Sequence, residues 1–94
     1  MKTYQLDCSQ ISLEDHFWQL YLETVRPDGA EYFGRNLSAF RDAVSGGGPG
    51  WPGECRITVV NTENLQRREE QFFSGFQRIA RELAEYSGVS IVFE

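Results

Sequence analysis

The sequence predicts an α/β fold: a small three-stranded parallel sheet packed with three to four helices. Two patterns carry that expectation. Short apolar or alternating runs near the start, middle and end are separated by stretches with helical apolar spacing, in the order strand, helix, helix, strand, helix, strand. Strands separated by helices need crossover connections, and crossovers pair strands in parallel. The length of 94 residues suits a single domain over residues 1–94 with one modest core.

Thr3 to Leu6 alternates weakly and reads as the first strand. Ser12 offers an N-cap, with Asp15 three residues later in a variant of the capping box. Leu13, Phe17, Leu20 and Tyr21, widened by Trp18, Leu22 and Val25, give a broad helical stripe over 13–25. Arg26-Pro27-Asp28-Gly29 ends that helix by turn chemistry. A second helix starts at Asn36, a good N-cap. Leu37, Phe40 and Val44 share its inward face, and Ser38, Arg41, Asp42 and Ser45 its outward face. Gly46 to Gly50 stops the helix and makes a flexible loop. Arg56 to Val60 is a β-branched buried strand. Glu63 to Glu70 is polar and reads as a short or irregular helix. Phe72 or Phe73, Phe76, Ile79, Ala80 and Leu83 then mark a long helix capped by Gly88, and Val89 to Phe93 closes the chain as the last strand.

Charge narrows the function. Fourteen Asp and Glu against nine Lys and Arg give a net charge of −5. That sign argues against nucleic-acid binding, which needs a basic surface to displace counterions. It suits a partner with a basic surface, because opposite fields speed encounter, although an acidic balance also serves solubility alone. The N-terminus has no long apolar segment of a secretion signal, and no run approaches a membrane span. A cytoplasmic protein is expected. There Cys8 and Cys55 remain reduced, and the glycosylation pattern Asn36-Leu37-Ser38 carries no meaning.

Catalytic chemistry finds little support. His16 is the one histidine, and no Cys/His cluster has metal spacing. Gly46–Gly50 lacks the lysine of a phosphate-binding loop and does not follow a strand. A catalytic pair formed by Asp42 and Glu82 would need a shared pocket. The expectation is a protein that is not an enzyme and uses no cofactor or metal.

The stretch Glu31-Tyr32-Phe33-Gly34-Arg35-Asn36-Leu37-Ser38-Ala39-Phe40-Arg41-Asp42-Ala43-Val44-Ser45-Gly46 resembles the barstar family: an aromatic pair, Gly-x-Asn-Leu, a helix with an outward Asp, then Gly. The element order over nearly the whole chain is also similar. The resemblance implies a small parallel sheet with packed helices. It further implies an antitoxin-like inhibitor, bound inside a bacterial producing cell to a secreted guanyl-specific ribonuclease of which barnase is the type. By that resemblance Asp42 would take the position of an RNA phosphate among the enzyme's Arg and His groups. Tyr32 would be the aromatic contact, Ser45 and Gly46 would give backbone contacts, and Glu82 would be a peripheral acidic contact, replaced by Arg81 if the loops shift by one residue. Arg35, Asn36, Ser38 and Arg41 complete the expected partner-binding surface. The free protein is expected to be a monomer and the complex a heterodimer, with no nucleic acid or membrane bound. Two residues depart from the family pattern: Ser38 stands where the family carries a further helix Asp, and Arg41 where it carries Trp. A less acidic face follows, open to a ribonuclease other than barnase or to a different kind of partner.

Overall fold

A computed structural model describes residues 2–94. The elements run β1 (Lys2–Asp7), α1 (Glu14–Val25), a 3₁₀ turn (Ala30–Tyr32), α2 (Leu37–Gly46), β2 (Cys55–Val60), α3 (Glu63–Arg68), α4 (Glu70–Tyr86) and β3 (Val89–Phe93). The three strands form one sheet in the order β1-β2-β3. Both pairings are parallel, with Leu6 opposite Val59 and Ile57 opposite Ile91. The expected class, sheet and helices are all present.

Side chains alternate along the strands, so one sheet face carries Leu6, Cys55, Ile57, Val59 and Val89 into the core. The other face carries Thr3, Gln5 and Arg56 into solvent. Strand order never reverses across this sheet.

Aromatic rings fill the space between sheet and helices. Trp18 on α1 is fully buried and meets Phe33, Phe40 and Phe76 with centroids 5.3, 5.6 and 6.2 Å away. The Trp18–Phe33 pair is edge-to-face, an arrangement that adds about 0.5–1.5 kcal/mol beyond area burial. Because α1, α2 and α4 all contribute rings, the outward face of α2 is set by how Phe40 and Val44 lock inward.

Three local expectations change. Ser12 does not cap α1: Leu13 occupies the cap position without a side-chain bond, and 39% of its surface is exposed. The Glu14 amide instead donates to Glu69 Oε2 at 2.9 Å, a partner from the α3–α4 junction. Gly88 does not cap α4. Ser87 does, in extended backbone, with its hydroxyl donating to the Leu83 carbonyl at 2.7 Å. Glu54 packs against Gly88, where a Cβ would fall 2.6 Å from the Glu54 Cγ. The glycine loop is tethered at its far end, since the Gly50 amide donates to Asp28 O at 3.0 Å and the Gly50 carbonyl accepts from the Tyr21 hydroxyl at 2.7 Å.

Both cysteines are buried, free thiols. Cys55 pairs in register with Lys2, while the Cys8 amide donates to Val60 O at the opposite end of β2. Five residues of strand separate those ends by about 17 Å, far beyond the roughly 7 Å Cα limit of a disulfide. Burial pushes the Cys8 thiol up to about 11, with the neighbouring Asp7 charge adding to it, and burial raises Cys55 as well.

Candidate partner-binding surface on helix α2

The polypeptide enters α2 through a backbone conformation that an L-residue rarely adopts. Arg35 sits at φ +54°, which costs roughly 1–2 kcal/mol for a residue with a Cβ. Its side chain offsets that cost. The guanidinium donates to Asp15 Oδ1 from Nε at 3.1 Å, to the Asp15 carbonyl from Nη2 at 2.8 Å and to Gln19 Oε1 from Nη1 at 3.1 Å. Three bonds to α1 use most of the guanidinium fork, so Arg35 fixes the entry to α2. Asn36 then caps the helix as expected, its Oδ1 accepting from the Ala39 amide at 2.8 Å and its Nδ2 donating to Gly34 O at 3.1 Å. A Cβ on Gly34 would come within 3.0 Å of the Ala39 Cβ, which accounts for a glycine just before the cap.

Inside the helix Phe40, Ala43 and Val44 are buried, and Leu37 packs half-buried against the core. The opposite face presents Ser38, Arg41, Asp42 and Ser45, all exposed, and ends at exposed Gly46. Gly47 turns the chain out of the helix at φ +72°, donating its amide to Ala43 O at 2.9 Å. Tyr32 projects from the preceding 3₁₀ turn with 76% of its surface exposed.

Glu82 on α4 reaches this face. Arg41 Nη2 lies 3.1 Å from Glu82 Oε2, with the two side chains 54% and 39% exposed. Arg81 instead lines the groove between α4 and β3 with Ala84, Ile91 and Phe93. Of the two, Glu82 is the one that lies beside α2. Its Oε2 is shut off from solvent yet has no well-directed hydrogen bond.

The two ion pairs among the described residues, Arg35–Asp15 and Arg41–Glu82, decide the electrostatics. Both arginines that precede Asp42, Arg35 and Arg41, already face a carboxylate. Asp42 has neither an ion pair nor a side-chain hydrogen bond among the described residues. Of the two charged residues within α2, Asp42 is the one without an ion pair among the described residues. Neither Asp42 nor Glu82 lines the grooves along α3–α4, α4–β3 or β1–Trp51. His16 is exposed on α1.

One exposed aromatic was not anticipated. Trp51, 42% exposed, follows the tethered Gly50 and lies over a groove with Tyr4, Pro27 and Pro52. The residues around it are cemented from below: a Cβ on Gly50 would fall 2.5 Å from Phe33 Cδ1, and Phe33 is itself buried. The available signal was an aromatic residue immediately after a glycine run, in Gly48-Pro49-Gly50-Trp51.

A three-stranded parallel sheet backing a helix that presents a polar, aromatic-flanked face defines a barstar-like α/β domain. A family model described as Barstar (barnase inhibitor) matches residues 1–93, and the chain belongs to that family. No curated protein matches the chain at a significant level. Among the described residues, no helix is long and apolar enough to cross a membrane, and no group of His, Cys, Asp and Glu is gathered to hold a metal.

Proposed function

We propose that this chain is an intracellular inhibitor of a secreted guanyl-specific ribonuclease, acting as one domain by covering the enzyme's active site with α2 and its adjoining loop. The observation that carries the reading is Asp42, an uncompensated carboxylate on an exposed face of a helix fixed at both ends. A ribonuclease active site is built to hold polyanions, so it is cationic. A rigid carboxylate seated there satisfies those cations and excludes substrate. Tyr32 supplies a rigid aromatic contact beside it, and Ser38, Ser45 and Gly46 offer hydroxyl and backbone groups around it. Arg35 and Asn36 act from behind, holding the helix entry. The chain works stoichiometrically, as a monomer that forms a heterodimer in the cytoplasm. Standard inhibitor interfaces bury about 1,600 Å² in total.

The test is titration of small microbial guanyl-specific ribonucleases with the wild-type protein and with Asp42→Ala. Breaking a buried charge pair costs about 3–5 kcal/mol, roughly two to four orders of magnitude in Kd. Stoichiometric inhibition by the wild type with a loss of that size in the variant supports the reading. Equal inhibition by both proteins would remove Asp42 from the mechanism. A second reading, an interaction module with a partner other than a ribonuclease, is favoured by Ser38 and Arg41, which leave Asp42 as the one charged residue of α2 without an ion pair among the described residues. Absence of inhibition across the panel selects it.

A further inference from the structure

Arg41 is the neighbour of Asp42 on the exposed face, and any partner that seals Asp42 from water covers Arg41 too. A guanidinium carries five N–H donors. Here it faces one carboxylate oxygen at 3.1 Å, and that contact lacks hydrogen-bond direction. With 54% of the Arg41 side chain exposed, its donors are served by water. Covering them with a partner that offers no acceptor would bury N–H donors without partners, and that is unfavourable. A cation on the partner at this corner would also be repelled, because Arg41 stands between it and Glu82.

We infer that Arg41 is a specificity-determining residue, and that the partner is a ribonuclease whose cationic cleft is bordered by a carboxylate facing Arg41. The inference rests on the inhibitor reading above and refines it by naming the group at the cleft's edge. Glu82 is a positioning residue in this arrangement. Its Oε2, sealed against Arg41, turns the guanidinium to one side and offsets part of its charge. The partner is selected by a matched acceptor and by rejection of a mismatched cation, and specificity in general draws on both.

The experiment measures inhibition of one ribonuclease that the wild type inhibits, using Arg41→Gln, Arg41→Lys, Glu82→Gln and the double variant Arg41→Gln/Glu82→Gln, with folding followed by circular dichroism. Arg41→Gln is expected to weaken inhibition by about tenfold or more, the effect of one lost charge-assisted contact. Arg41→Lys should recover part of it, since lysine keeps the charge without the planar fork. Glu82→Gln should weaken inhibition less, and its effect should vanish once Arg41 is Gln. A merely structural Glu82 would not show that coupling. Unchanged or tighter inhibition by Arg41→Gln overturns the inference while leaving Asp42 in place. A larger loss for Glu82→Gln than for Arg41→Gln also overturns it, because Glu82 is then the contact. A wild type that inhibits no ribonuclease in the panel overturns the inhibitor reading, and this inference with it.

Discussion

Replacing Tyr21 by Phe removes one atom and tests how the binding surface is supported. The Tyr21 ring is 1% exposed and its hydroxyl donates to the Gly50 carbonyl at 2.7 Å, across 29 residues of sequence. Phenylalanine keeps the ring contacts with Trp18, Phe33 and Phe40. What changes is the Gly50 carbonyl, which loses its donor in a buried setting. Stranding a buried acceptor costs about 1–3 kcal/mol, more than the roughly 1 kcal/mol that a hydrogen bond contributes net. For a domain of this size each kcal/mol lowers Tm by about 4–8 °C. In urea the midpoint should fall with the slope unchanged. Hydrogen exchange should quicken at the Gly50 and Trp51 amides, which donate to Asp28 O and Gly48 O, before it quickens in the sheet. A midpoint shift below about 0.3 kcal/mol, with those amides still protected, would refute the tether.

Other perturbations separate backbone from side-chain effects. Asn36→Ala deletes the cap on the Ala39 amide and should cost about 1 kcal/mol, read as a drop in Tm. Gly50→Ala places a Cβ 2.5 Å from Phe33 at φ +94°, so crowding and backbone strain together should cost more than about 2 kcal/mol by the same measurement. The Cys8 thiol, raised from its usual 9.0 to about 11 by burial, keeps its proton in the folded chain after the unfolded chain has released one. Stability is unaffected by Cys8 below pH 9.0 and declines as pH rises from there towards about 11, at up to ~1.4 kcal/mol per pH unit. In Cys8→Ala, urea midpoints across that range should fall less steeply, though from a lower start.

The fold was legible because its signals are local. Phe17, Trp18 and Tyr21 fall on one side of a 3.6-residue period, and Arg56 to Val60 is too short and too β-branched for anything but a strand. The inward and outward residues of α2 separate by the same arithmetic, and Asn36 caps where its chemistry predicts. The misses share a different cause. Glu69 displaces Ser12 as the cap of α1 from 55 residues away, and no nearest-neighbour rule reaches that far. Ser87 caps α4, and Gly88 instead leaves room for Glu54, another distant neighbour. At the candidate site the sequence shows Arg35 and Arg41 as cations near Asp42 but not what each of them meets. Their partners Asp15 and Glu82 lie on other helices, so the charge of the face is a tertiary property.

That distinction divides the candidate residues by role. Arg35 and Asn36 bond into the protein, Tyr21 and Phe33 hold the glycine loop from beneath, and none of these needs to touch a partner in order to matter. Tyr32, Ser38, Arg41, Asp42 and Ser45 face outward. A helix tied at its entry by three hydrogen bonds to α1 and at its exit by a tethered loop loses little further freedom on binding, and freedom lost on binding is what keeps large interfaces from being tight. A defect in the supporting set should therefore weaken a complex in proportion to the stability lost, whatever the partner. A change at Arg41 or Asp42 should leave stability nearly intact and alter the choice of partner. Comparing Tyr21→Phe with Arg41→Gln in the same binding and unfolding assays draws that line: the first should move both readouts together, the second only binding.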